Sequence, residues 1–221
     1  MTTQQAIDLY NILLDKYGSP SQEDDEILSL LNMATHEYLN RLVPDNQGGV
    51  VNFEFDSNVV SNIKPLIFSI TENMDADGLL AEADIETALQ AESSDAAAKV
   101  FRTLSIGITD SDGVTRPVTY EFQNSLWMNA RNFYKRPSAD NPKYTMIAAG
   151  LQFYPVNQTD DLTITVIKTP KSLSLVGPVN PELTDHVLYN VISIALQLGG
   201  LSVRDEELLS QIRNNNVQLS K

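Results

Sequence analysis

The chain of 221 residues has no cysteine. Disulfides, thiolate metal sites and cysteine nucleophiles are excluded together, and the redox compartment stays open. Basic residues are scarce: fifteen Lys and Arg stand against twenty-nine Asp and Glu, a net charge of −14. Wrapping nucleic acid by neutralising phosphates needs a concentrated basic surface. Such wrapping is not expected here, while passage of DNA without gripping it stays open. Only two histidines occur, His36 and His186, each next to an acid, Glu37 and Asp185. Adjacent residues on a helix do not face each other, so both are expected to be structural or solvent-exposed. No HExxH, GxSxG or Walker-type phosphate loop is present. Gly48-Gly49 is a turn, since no lysine follows it into a helix. The longest apolar stretch, 187–201, is interrupted by Asn190, Ser193 and Gln197, too short and too polar to span a membrane. The start, MTTQQAIDLYNILLDKYG, lacks a basic region ahead of an apolar core, so no export signal is expected.

What is present is an ordinary globular composition, 42% apolar and 20% charged, in a chain long enough to bury a real core. Ile7, Tyr10, Leu13, Leu14 and Tyr17 fall at helical spacing, with Gly18 as a stop. Ser19-Pro20-Ser21-Gln22 reads as a capping box, serine at N-cap and glutamine at N3. Acids 23–26 then sit over the positive end of the next helix. That helix carries Ile27, Leu30, Leu31, Ala34, Tyr38 and Leu42 on one stripe and stops at Pro44.

From residue 50 the period becomes two, with Val51, Phe53 and Phe55 alternating and 63–70 forming a second strand-like run. Residues 81–91 suit a short helix. Runs 99–109 and 114–122 flank Asp110-Ser111-Asp112-Gly113, a hairpin with an Asp-Gly turn. Residues 123–132 allow one or two helical turns, 134–142 an extended loop, and 143–153 and 162–168 a pair of strands. Asn180-Pro181 opens a helix to Leu198 that is apolar on most faces and ends at Gly199-Gly200; 201–218 is a polar helix. The fold class is therefore α+β. One domain over 1–221 is expected, with 1–44 and 180–221 packed as a helical bundle. A β-rich antiparallel sheet or sandwich covers 50–175, with an acidic helical excursion at 72–98.

No residue set here specifies catalysis, a metal or a cofactor. Asp110 to Glu121 spans twelve positions as a calcium loop does, but its sixth position is Thr115 where glycine is required, and Pro117 lies inside. Asp75-Ala76-Asp77-Gly78 places its glycine two positions early. Asn157-Gln158-Thr159 matches a glycosylation sequon, expected to be a chance match because no export signal is expected. Two surfaces stand out. From 72 to 95 there are eight acids and no Lys or Arg. Glu72, Asp75, Asp77, Glu82, Asp84 and Glu86 are the candidates for an acidic wall facing a channel or a basic partner, against the plainer reading of a solvated excursion. Trp127, Arg131, Phe133, Tyr134 and Arg136, with Lys135 among them, concentrate the residue types that dominate protein interfaces. Nucleic-acid stacking uses the same types, but the net charge favours a protein partner.

The stretch GLQFYPVNQTDDLTITVIKTPKSL at 150–173 sets a strand ending in Phe153-Tyr154-Pro155, a loop with Asp160-Asp161, and a strand closed by Thr169-Pro170 ahead of an apolar helix. This frame resembles the head–tail connector (adaptor or ring) proteins of tailed phages. The N-terminal 6–44, with Glu37-Tyr38-Leu39-Asn40-Arg41-Leu42, and the loop Arg131-Asn132-Phe133-Tyr134-Lys135-Arg136-Pro137-Ser138 look most like the ring proteins of crAss-like phages. The resemblance implies a non-enzymatic structural protein of the virion neck, made in the host cytoplasm. It implies a homo-oligomeric ring, commonly a dodecamer, that meets a portal protein and other neck or tail proteins. Double-stranded DNA would pass through its channel without sequence-specific binding, and no membrane or cofactor is involved. A different class, a β-sandwich binding module for a ligand such as carbohydrate, predicts instead a monomer with an aromatic platform at Trp127 and Tyr134. A hydrolase with paired carboxylates is a third possibility, since acids far apart in sequence can meet in a fold.

Overall fold

The computed structural model describes residues 1–16, 22–43, 57–109, 113–132, 134–156 and 161–203. Two compact units make up the α+β chain, one from Met1–Pro44, Asp56–Pro65 and Pro170–Lys221, the other from Asp45–Phe55 and Leu66–Thr169.

The first unit is helical. Helix α1 (Thr3–Lys16) buries Ala6, Ile7, Tyr10 and Leu14, a single stripe at helical spacing. Helix α2 (Asp24–Leu42) buries Ile27, Leu31, Ala34 and Tyr38 as expected, and adds Leu28, Thr35 and Leu39. Its start differs from the sequence expectation. Glu23 is the N-cap and makes no side-chain capping bond, while Ser19 lies outside the described residues. Gln22, expected inside the first turn, precedes the helix, and its Oε1 accepts the Tyr10 hydroxyl at 2.7 Å. Asp24, Asp25 and Glu26 still occupy the first turn, where the positive helix end favours them.

Helix α3 (Ser57–Ile63) and a 3₁₀ turn (Lys64–Leu66) replace the first half of the strand expected at 63–70, while 67–70 is strand and continues to Asn73. Ile63 and Leu66 are both fully buried three residues apart, a helical spacing that a short apolar run does not distinguish from a strand. The final described helix, α6 (Asp185–Val203), starts later and ends later than expected. Asn180 does not open it: its Oδ1 accepts the backbone N–H of Thr3, an orphan donor at the start of α1. Glu182 accepts the N–H of Lys171 at 2.9 Å. At the other end α6 runs through Gly199. A Cβ there would lie 2.4 Å from the Tyr10 hydroxyl oxygen, so the glycine permits close approach of α1 and α6 and does not stop the helix. Helices α1, α2 and α6 pack on one another, and α6 buries Val187, Leu188, Val191, Ile192, Ile194, Ala195 and Leu196. The expected polar helix after it falls outside the described residues, as does the alternating run at 51–55.

Among the described residues the second unit holds two four-stranded sheets. Its strands are β1 (Ile67–Asn73), β2 (Leu79–Ala81), β3 (Val100–Thr109), β4 (Thr115–Pro117), β5 (Thr119–Tyr120), β6 (Lys143–Ile147), β7 (Gly150–Tyr154) and β8 (Asp161–Lys168). Sheet A has the order β1-β8-β3-β4 and is antiparallel throughout. Sheet B has the order β2-β7-β6-β5, with β5 parallel to β6. Helix α4 (Glu82–Ser93) packs on β1, β2 and β3, and helix α5 (Gln123–Asn129) follows β5. Both sheets and α4 share one core, including Ile70, Leu80, Leu89, Ile106, Tyr144, Phe153, Leu162 and Ile164.

Three sequence expectations change here. The single strand expected over 114–122 divides between the sheets. Pro117 ends β4, having no N–H to donate, and Val118 bonds back to Ile106 at 2.9 Å before the chain enters sheet B. The run 143–153 is itself a hairpin, β6 and β7, turning at Ala148-Ala149. A Cβ on Gly150 would lie 2.3 Å from the Leu80 carbonyl oxygen, and its φ of +142° suits glycine alone. Finally β7 and β8, expected as partners, lie in different sheets. The central strand β8 keeps its alternation, with Leu162, Ile164 and Val166 in the core and Ile167 also buried.

Candidate functional site

A groove in the second unit is built around α5. Strand β5 delivers the chain to Glu121, whose N–H donates to the Tyr144 carbonyl at 2.9 Å and whose Oε1 accepts from Asn129 Nδ2. That pair ties both ends of the short helix to sheet B, and Leu126 is its only buried residue. Below it runs an aromatic ladder. Tyr120 meets Phe122 edge-on at 5.1 Å and Tyr144 at 5.5 Å, and Tyr144 tilts against Phe153 at 6.0 Å. Burial holds the Tyr144 phenol well above its usual pKa, with a smaller contribution from Tyr120. It is a packing group here.

After α5 the chain turns around Asn132. Its carbonyl accepts the N–H groups of Lys135 and Arg136, and its Oδ1 accepts that of Tyr134 at 3.0 Å. A bridge between Ser138 and Asn141 closes the turn, so residues expected to be extended are folded back. The result is a groove of about 590 Å³ whose lining includes Leu126, Trp127, Arg131, Arg136, Tyr154 and Pro155. Trp127 is 75% exposed and Tyr134 89%. Of the five interface candidates, Trp127, Arg131 and Arg136 meet in the groove, Tyr134 is not among its lining residues but is exposed on the Asn132 turn, and Phe133 lies outside the described residues. Tyr154 and Pro155 are not legible as site residues in the sequence, because nothing local there indicates that the end of β7 meets α5. Among the described residues no carboxylate lines this groove.

The acidic candidates occupy another part of the unit. Asp75 Oδ1 accepts the N–H groups of Asp77 at 2.9 Å and Leu79 at 2.7 Å, an Asx-type turn leading into β2. Asp75, Asp77, Glu82 and Asp84 are exposed, and Glu72 and Glu86 are half-buried. Glu82 and Asp84 stand in the first turn of α4. Asp95 departs from the group: it pairs with Lys168 at 3.4 Å, and the side chains are only 10% and 4% exposed.

His36 and His186 are exposed on α2 and α6, in the helical unit. Among the described residues no group of three or more His, Asp or Glu is placed to hold a metal ion. Nor is any described helix long and apolar enough to cross a membrane. Chemically, the groove can take a carboxylate on its guanidiniums and an apolar or planar group on its indole and prolines. No family model and no curated protein matches the chain, so no relative assigns the groove a ligand and its chemistry is that of its own residues.

Proposed function

We propose that the chain is a non-enzymatic structural subunit of a tailed-phage neck, forming a ring that joins portal to tail and surrounds the path of the genome. The observation that carries this reading is the α5 groove, which concentrates an exposed tryptophan and two arginines on a chain of net charge −14. Trp and Arg, exposed together in a cleft, are the residue types from which protein interfaces draw most of their energy once a partner covers them. The exposed acids Asp75 and Asp77 suit a channel wall, since carboxylates repel a sliding polyanion where lysines would hold it. The resemblance of 6–44, 131–138 and 150–173 to connector ring proteins supports the same assignment.

Electron microscopy of the purified chain, alone and mixed with its portal, tests the proposal. Closed rings, or an added tier on the portal, are the expected result. A monomer that neither closes into rings nor adds to a portal overturns it. Exposed Trp127 beside Tyr154 also favours a second reading, a carbohydrate-binding module, because a sugar ring can stack on an indole. Glycan binding by a strict monomer, abolished in Trp127→Ala, would establish that reading instead.

A further inference from the structure

We infer that the α5 groove receives the acidic start of α4 from a second copy of this chain. The inference rests on the ring reading and supplies its subunit joint. Sheet B carries the two surfaces at its opposite ends. At one end Lys143 pairs with Tyr154, and Tyr154 and Pro155 form a wall of the groove. At the other end Gly150 pairs with Ile147 on one side and Ala81 on the other, and α4 begins at the next residue, Glu82. Among the described residues, the charged groups lining the groove are two guanidiniums, Arg131 and Arg136. The first turn of α4 offers Glu82 and Asp84, both exposed, in a stretch with no basic residue from 72 to 95.

Guanidinium and carboxylate match in charge and in planar, two-pronged geometry. Trp127 and Pro155 give the methylenes of Glu82 and the methyl of Ala83 an apolar surface to rest on. A volume of about 590 Å³ suits a few side chains at a helix start. Because the surfaces stand at opposite ends of one sheet, each copy offers its groove to one neighbour and its helix to the other. That contact is head-to-tail, the kind that closes into a ring when the rotation allows. It also removes Glu82 and Asp84 from the channel wall and leaves Asp75 and Asp77 to it.

The test uses the full chain. Arg131→Glu with Arg136→Glu, and separately Glu82→Arg with Asp84→Arg, should each weaken self-association roughly tenfold or more in sedimentation velocity. Circular dichroism checks that each variant is folded. All four changes in one chain re-pair opposite charges and should restore association, which a merely misfolded variant would not do. Because the chain has no native cysteine, Ala83→Cys with Ala130→Cys gives an independent readout. Oxidation should yield a ladder of disulfide-linked oligomers. Absence of the ladder, with charge reversals that leave association unchanged, overturns the contact. If rings nevertheless form under the microscope, the ring reading survives and only this joint falls; a ladder without closed rings supports the joint and removes the ring. Loss of portal binding in the arginine variant with self-association intact assigns the groove to another protein, and overturns the inference.

Discussion

Tyr10 and Gly199 show how one missing methyl group positions two helices. Alanine at Gly199 would gain about 1 kcal/mol of helix propensity, since glycine is the poorer helix former. The added Cβ, however, would fall 2.4 Å from the Tyr10 hydroxyl oxygen and 3.2 Å from Leu30 Cδ1. Tyr10 is fully buried and tied to Gln22, so it has little room to yield. Overpacking of this kind costs roughly 1–3 kcal/mol, enough to outweigh the propensity gain. Gly199→Ala should therefore lower stability in urea unfolding. Combined with Tyr10→Phe, which removes the clashing oxygen, the same change should cost less than it does alone. Additive losses would show that the clash is not the cause. The phenol of Tyr10 also titrates abnormally: burial first, and the nearby Glu26 carboxylate second, push its pKa up to about 12. The folded state thus keeps a proton that the unfolded chain releases near pH 10. The stability contributed by Tyr10 is present below pH 10 and is lost as pH rises toward 12. Tyr10→Phe should flatten the fall in stability across that window, and an unchanged profile would contradict the assignment.

At the scale of elements, the ion pair between Asp95 and Lys168 ties the segment after α4 to the end of the central strand β8. Both side chains are largely out of water, so removing the Asp95 charge takes a buried counter-charge from Lys168. Asp95→Asn should cost about 3 kcal/mol or more, and Asp95→Asn with Lys168→Met should recover most of it. Equal losses in the single and double variants would mean that burial of Lys168 is not what the carboxylate compensates. This pair was invisible in sequence, where Asp95 read as one more acid in a solvated run. Elements defined by local pattern were legible: the stripes of α1 and α2, the short helix α4, the alternation of Leu162, Ile164 and Val166. Elements defined by distant partners were not. Gly199 looked like a stop because its constraint comes from Tyr10, and Asn180 looked like a cap for α6 because its true client is Thr3. The groove was half legible for the same reason. Trp127, Arg131 and Arg136 cluster in sequence, whereas Tyr154 and Pro155 arrive through the pairing of β6 with β7.

At the scale of the whole molecule, the consequence of a −14 chain depends on where its carboxylates point in an assembly. Asp75 and Asp77 are exposed on a turn shaped by hydrogen bonds to Asp75 and by Gln152, which donates to the Asp77 carbonyl at 2.6 Å. In a ring with these turns inward, every copy repeats the same two charges around the channel. Replacing both by lysine changes the charge by four per copy and converts repulsion of phosphates into attraction. Because hydrogen bonds to Asp75 Oδ1 shape the turn, Asp77→Lys alone serves as the folding-neutral companion. On the proposed neck-ring function, virions carrying either variant should eject DNA more slowly than the parent, the double variant more so, in a dye-binding ejection assay. The deficit should shrink as salt is raised, since screening acts over about 10 Å at 0.1 M and about 3 Å at 1 M. A slowdown indifferent to salt would point to a distorted turn, and unchanged ejection at every salt concentration would place Asp77 away from the genome's path.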